Sequence, residues 1–211
     1  MGYNLGMKTI LFATTNKNKV ARIKNFMKGE DVKILSLEDL DYKIEEPEEK
    51  GNTPVEIAKN KARYYYDNLK EKYIVMSQDE TIQFFNIPEL SKPILSIKKP
   101  VIYKYGEFSD QKAIELYSDL AKKHKGKIDM QFNYGFAICD GNKLIGKKAT
   151  LKCTLVSEIC NKILPGYFLA SIIKLDMNGK QKYYIEMSDK ELISADKDLF
   201  RAVKLLLDEI G

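Results

Sequence analysis

Short apolar runs interrupted by polar clusters organise the first third of the chain. Ile10-Leu11-Phe12-Ala13 stops at Thr14-Thr15-Asn16-Lys17-Asn18-Lys19, and a charged, helix-prone segment covers residues 20–27. An apolar run of that length bounded by turn formers predicts a buried strand, with a helix after the polar cluster. Residues 32–37 predict a second strand. An acidic, proline-containing stretch follows at residues 44–52 and ends at Thr53-Pro54, an N-cap with proline at the first helical position. Glu56, three residues after Thr53, completes a capping-box pattern. The helix so predicted runs to about residue 70 and sets Ile57, Lys61, Tyr64 and Tyr65 on roughly one face. Tyr73-Ile74-Val75-Met76 predicts a third short strand, ending at a polar loop over residues 77–81.

Beyond that loop the period changes. Pro88, Pro93 and Pro100 make residues 88–100 irregular, and Ser109 opens a helix to about residue 123. Residues 127–139 and 143–155 partly alternate and meet at Asp140-Gly141, a hairpin turn extended by Asn142. A further extended run over residues 168–176 turns at Asn178-Gly179 into residues 181–185. An amphipathic helix over residues 197–210 closes the chain, burying Leu199, Val203, Leu206 and Leu207. Strand–helix units first and paired strands later predict an α/β fold with a mixed sheet flanked by helices, not a purely doubly wound one.

Composition narrows the function classes. At 211 residues and 44% hydrophobic content, the chain can bury a core as a single domain over 1–211 or as two tightly joined lobes. No apolar run approaches the roughly 18–20 residues that span a bilayer, so no membrane partner is expected. The polar start has no signal-peptide pattern, and Met7 offers an alternative start that would make residues 1–6 a leader. Cys139, Cys153 and Cys160 lack metal-ligand spacing and His124 is the only histidine, which fits buried packing roles in a reducing, cytoplasmic setting. The net charge of +5 arises from 35 basic and 30 acidic residues interspersed along the chain. A nucleic-acid partner is therefore disfavoured, and an anionic small molecule suits the charge at least as well.

The candidate chemistry sits on three segments. At a strand-to-helix junction the first helical N–H groups and the helix dipole favour an anion, and Lys17 and Lys19 add positive charge. The junction lacks the glycines and the Gly-Lys-Ser/Thr ending of a Walker loop. It reads either as a polyphosphate cradle or as an N-capped surface helix with solvated lysines. Glu48 and Glu49 come next, with Lys61 one to two turns into the following helix, and Asp79 stands between Gln78 and Glu80. Carboxylates from separate segments beside lysines suit Mg²⁺-assisted phosphoryl chemistry, because Mg²⁺ takes one or two carboxylates with phosphate oxygens and water. The competing reading of Glu48 and Glu49 is solvated surface.

In order and context these segments resemble the inosine triphosphate pyrophosphatase family, the Ham1-like enzymes of non-standard purine nucleotides. Its strand followed by Thr-x-Asn-x-x-Lys is matched by Thr14–Lys19. Its acidic pair, glycine, and helix with Glu and Lys-Ala-Arg is matched by Glu48-Glu49-Lys50-Gly51, Glu56 and Lys61-Ala62-Arg63. Its acidic-Asp-Ser/Thr-x-Leu segment corresponds to Gln78-Asp79-Glu80-Thr81-Ile82. Ser109-Asp110-Gln111-Lys112, the Asp140-Gly141 hairpin and Glu186-Met187-Ser188 follow in the family's order.

The resemblance implies an elongated mixed central sheet with two lobes around a cleft, a homodimer, and Mg²⁺-dependent cleavage of a nucleoside triphosphate to monophosphate and pyrophosphate. It implies that Thr14, Thr15, Asn16 and Lys19 bind phosphates, that Glu49 and Asp79 hold Mg²⁺, and that Asp79 and Lys61 are catalytic. Tyr167, in Gly166-Tyr167-Phe168-Leu169-Ala170-Ser171, would stack on the base, and Lys197 would offer it a donor. Here the chain departs from the family. Gln78 replaces an acidic residue, Ala170 stands where an aspartate reads the purine edge, and Ser194-Ala195-Asp196-Lys197 replaces Ser-His-Arg. A site without those base-reading groups loses the means to reject analogues, so altered base specificity is expected. The alternative is a nucleotide-binding or regulatory relative that turns over slowly or not at all.

Overall fold

The computed structural model describes residues 8–71, 73–90 and 92–210. The leader expected at residues 1–6 and the alternative start at Met7 lie outside the described residues. In chain order the elements are β1 (Lys8–Phe12), α1 (Lys17–Phe26), β2 (Val32–Ser36), α2 (Pro54–Asn68), β3 (Ile74–Phe84), α3 (Lys99–Tyr105) and α4 (Asp110–Lys123). They continue with β4 (Lys127–Cys139), β5 (Leu144–Val156), β6 (Ile173–Met177), β7 (Lys180–Tyr183), α5 (Asp189–Ala195) and α6 (Lys197–Asp208).

The strands form one mixed sheet in the order β2-β1-β3-β4-β5-β6-β7. β1 runs parallel to both β2 and β3, with Ile10 opposite Ile34 on one side and Ile74 on the other. β5, β6 and β7 are antiparallel neighbours. The early strand–helix units therefore yield parallel pairing and the later hairpins antiparallel pairing, as the change of period predicts. At the last hairpin, Asn178 and Gly179 both take positive φ (56° and 83°), the requirement of a two-residue type I′ turn.

The chain divides into two compact units. The first comprises residues up to Asp79 with Tyr134–Ala149 and Phe200–Gly211; the second comprises Glu80–Asn133 and Thr150–Leu199. In the first, Ala58, Ala62 and Tyr65 of α2 and its C-cap Leu69 pack with Leu11, Val75, Ala137 and Cys139. Each such side chain the size of leucine contributes about 1.5–3 kcal/mol on burial. In the second, Tyr117 of α4 stacks on Phe168 with centroids 6.5 Å apart, and Phe84 and Phe108 complete an aromatic cluster.

The structure corrects several expected boundaries. β3 does not stop at Met76 but continues to Phe84, so Gln78, Asp79 and Glu80 belong to a strand and not to a loop. Polar residues are tolerated there because the Gln78 and Asp79 side chains are hydrogen-bonded, to Arg22 and Lys61, while the strand pairs with β4. Residues 168–171 form a 3-10 turn before β6, and 184–186 another after β7. α3 grows out of the proline-rich stretch with Pro100 in its first turn, where the missing N–H costs nothing. α5 opens on a capping box between Ser188 and Glu191 that the periodicity does not reveal. Leu199, Val203 and Leu206 are buried as expected, while Leu207 is half-buried.

Candidate active site

The first unit holds the candidate phosphate and carboxylate residues. Asn16 caps α1: its side-chain oxygen accepts from the Asn18 and Lys19 amides at 3.0 and 3.2 Å. The Thr14 hydroxyl accepts from the Asn16 amide at 3.2 Å. The cap reading is thus observed: the Asn16 side chain occupies two of the helix amides. Thr15 donates to Glu46 at 3.2 Å. Thr14, Thr15 and Lys17 also line a cavity of about 280 Å³ with Lys24, Ser36 and Asp39. Lys17 pairs with Glu38 at 3.5 Å and is largely exposed.

The acidic loop is anchored to α2 by its own termini. Thr53 caps the Glu56 amide, while the Glu56 carboxylate accepts from the Asn52 amide at 2.8 Å, one residue before the box position. Asn60 donates to the Lys50 carbonyl at 2.7 Å. Gly51 is needed between them: its φ is +134°, and a Cβ there would lie 2.9 Å from the Glu56 Cβ. The start of α2 in turn sits directly on β4. A Cβ on Gly135 would fall 2.1 Å from the Pro54 carbonyl carbon.

These anchors bring two carboxylates to one ammonium. Lys61 Nζ donates to Glu49 Oε1 at 2.8 Å and to Asp79 Oδ2 at 2.6 Å. Glu49 and Asp79, 30 positions apart in sequence, thus approach each other within the span of a single ammonium group. The Glu49 side chain is half exposed, whereas those of Asp79 and Lys61 are largely covered. Burial works against the charge on Lys61, but Asp79 and then Glu49 outweigh it and hold the ammonium above the ordinary lysine value. Burial likewise dominates at Asp79 and raises its carboxyl above the ordinary range, against the opposing pull of Lys61 and of Lys19. An ion pair alone would lower Asp79; we attribute the rise to desolvation, the largest of these effects.

Neighbouring motif residues do other work. Glu48 pairs with Lys50 and is well exposed, which is the solvated-surface alternative. Arg63 donates to the Gly141 carbonyl at the β4–β5 turn and pairs with Asp67. His124 is the C-cap of α4, and Cys139, Cys153 and Cys160 are buried free thiols. Among the described residues no group of three or more His, Cys, Asp or Glu side chains is arranged to hold a metal. The donor set is two carboxylates with lysine, which fits a hard divalent cation that takes its remaining oxygens from phosphate and water.

Two features escape sequence reasoning. Arg22 of α1 donates to Gln78 Oε1 at 3.0 Å and lies over the Tyr134 ring, 5.2 Å from its centroid. Its spacing of three from Lys19 was the available signal. In the second unit, the candidate base residues are linked through two others. Tyr167 meets the Tyr184 ring at 5.9 Å, and Tyr184 donates to the buried Asp196, the neighbour of exposed Lys197.

Comparison with known proteins identifies the family and the fold. The family model described as Ham1 family matches residues 10–158. The dITP/XTP pyrophosphatase of Caldanaerobacter subterraneus subsp. tengcongensis is 44% identical over 73 residues, covering 35% of this chain and 36% of that protein. The dITP/XTP pyrophosphatase of Thermoanaerobacter pseudethanolicus is 49% identical over 72 residues, covering 33% and 34%. The chain thus matches about a third of the length of these relatives. A HAM1 protein from Coxiella burnetii has the same fold, with a TM-score of 0.72 at 17% identity over 96% of this chain and 100% of that one. The Staphylococcus aureus Ham1 protein gives 0.66 at 19% identity, over 97% and 100%.

Proposed function

Because this chain belongs to the Ham1 family, we propose that it is a nucleoside triphosphate pyrophosphatase, hydrolysing a triphosphate to monophosphate and pyrophosphate. The observation that carries the reading is the convergence of Glu49 and Asp79 on Lys61. The partial relatives, both dITP/XTP pyrophosphatases, support non-standard purine nucleotides as the substrate class.

Glu49 and Asp79 would hold Mg²⁺, which when bound would screen the phosphate charge and draw electron density from the reacting phosphorus. In the reaction a water oxygen bonds to the α-phosphorus while the bond to the bridging oxygen of the leaving pyrophosphate breaks. Asp79, whose carboxyl is raised by burial, aligns that water and accepts its proton. Lys61 stays protonated and neutralises charge that develops on the phosphate oxygens. Lys19, with Thr14, Thr15 and Asn16 at the start of α1, holds the triphosphate tail. Tyr167 and Lys197 contact the base, and the Ala170 and Ser194–Lys197 departures relax its choice.

Incubation with Mg²⁺ and a panel of nucleoside triphosphates, following pyrophosphate release, tests the proposal. Release is expected from at least one purine triphosphate, with deoxyinosine and xanthosine triphosphates leading. Nucleotide binding without release from any member would overturn it in favour of a non-catalytic relative.

A further inference from the structure

Three consecutive residues of β3 are each bonded to a helix. Ser77 donates its hydroxyl to the Ala58 carbonyl of α2, Gln78 accepts from Arg22 of α1, and Asp79 accepts from Lys61 of α2. Side chains alternate along a strand, so Ser77 and Asp79 face α2 while Gln78 faces the other side. The strand order β2-β1-β3 agrees. Right-handed crossovers from β1 out to β2 and from β2 back to β3 put α1 and α2 on opposite faces. The segment bearing Asp79 is therefore gripped from both faces, and Arg22 makes the grip on the α1 side.

Arg22 suits that task. Gln78 and Tyr134 are 5% and 3% exposed, so the guanidinium meets one buried amide and one buried ring. A planar guanidinium can stack on a ring and donate in its own plane at once, which an ammonium cannot. Arg22 also lies one turn beyond Lys19 on the helix that Asn16 caps. Any shift of Arg22 moves the turn that would hold the phosphates relative to Asp79.

We propose that Arg22 is a positioning residue: through Gln78 and Tyr134 it sets the Asn16–Lys19 turn at a fixed separation from Asp79. The proposal rests on the hydrolytic reading above. Such sites need their groups held to about half an ångström, and the supporting contacts supply that precision.

The test uses Arg22→Met, Arg22→Lys, Gln78→Leu, Gln78→Glu and the Arg22→Met/Gln78→Leu double variant. Two quantities are measured: steady-state turnover, and calorimetric affinity for inorganic tripolyphosphate in saturating Mg²⁺. Arg22→Met and Gln78→Leu are each expected to lower kcat by about 10- to 100-fold. Each should also weaken tripolyphosphate binding by about fivefold or more. The double variant should be no worse than Arg22→Met, because Gln78→Leu removes a link that Arg22→Met already breaks. Gln78→Glu keeps the acceptor and should stay within about threefold of wild type, with Arg22→Lys between the extremes.

Arg22→Met matching wild type in both quantities would overturn the proposal. So would additive losses in the double variant, or Gln78→Glu as damaged as Gln78→Leu. If Arg22→Met does not fold, Gln78→Leu and Arg22→Lys decide by the same criteria. Absence of pyrophosphate release by the wild type would count against the hydrolytic reading alone, since tripolyphosphate affinity still tests Arg22.

Discussion

The candidate residues of the two units are organised to different standards. In the first unit the polar groups are bonded to close neighbours: Asn16 to the α1 amides, Glu49 and Asp79 to Lys61. In the second, Tyr167 meets the Tyr184 ring, Tyr184 donates to Asp196, and the adjacent Lys197 is exposed. Phosphate hydrolysis demands fixed charges at fixed separations, whereas a stacking platform tolerates more than one base. On the proposed function, the phosphate chemistry falls to the closely bonded groups and base contact to an exposed one.

Substitutions can break or sharpen that contrast. The largest effect is expected for Asp79→Asn, with kcat/KM down roughly a thousandfold in the pyrophosphate-release assay. Lys61→Met should cost about a hundredfold in kcat. It should also lower stability to urea by about 2 kcal/mol at neutral pH, since two carboxylates lose their shared partner. The pH dependence has a definite sign. The folded-state value of Lys61 lies above the ordinary 10.5, so its stabilisation is complete below 10.5 and is lost as pH rises through the folded value. The stability gap between wild type and Lys61→Met should be constant at neutral pH and close at strongly alkaline pH.

Gly135→Ala tests the first unit at a distance. With the Pro54 backbone 2.1 Å from the new Cβ, α2 must move, and thermal unfolding should show a loss of about 2–3 kcal/mol. Turnover should fall with it, because Lys61 rides on α2. In the second unit, Tyr167→Ala should raise KM by about tenfold with kcat within about threefold. The smallest effect is expected for Glu48→Gln, whose exposed carboxylate should leave turnover unchanged.

Much of the fold was legible because its signals are local. The buried run at residues 10–13, the Thr53-Pro54 cap and the Asn178-Gly179 turn each specify an element within a few residues. The boundaries that differ depend on distant partners. Nothing local to Gln78-Asp79-Glu80 says that β4 will flank β3 and keep those residues in a strand. The same limit applies to the site. Glu49, Lys61 and Asp79 were legible as residue types at motif spacing. Glu48 was equally eligible; the structure pairs it with exposed Lys50, whereas Glu49 reaches Lys61. Arg22 escaped because its partners, Gln78 and Tyr134, lie 56 and 112 positions further along the chain.

The central claim is that Glu49 and Asp79 jointly hold one divalent ion beside Lys61. Paramagnetic resonance of Mn²⁺ titrated into the protein with tripolyphosphate tests it most directly, comparing wild type with Glu49→Gln and Asp79→Asn. The account predicts one tightly held ion in the wild type and affinity reduced by about tenfold or more in each variant. Undiminished Mn²⁺ binding in both variants would contradict it.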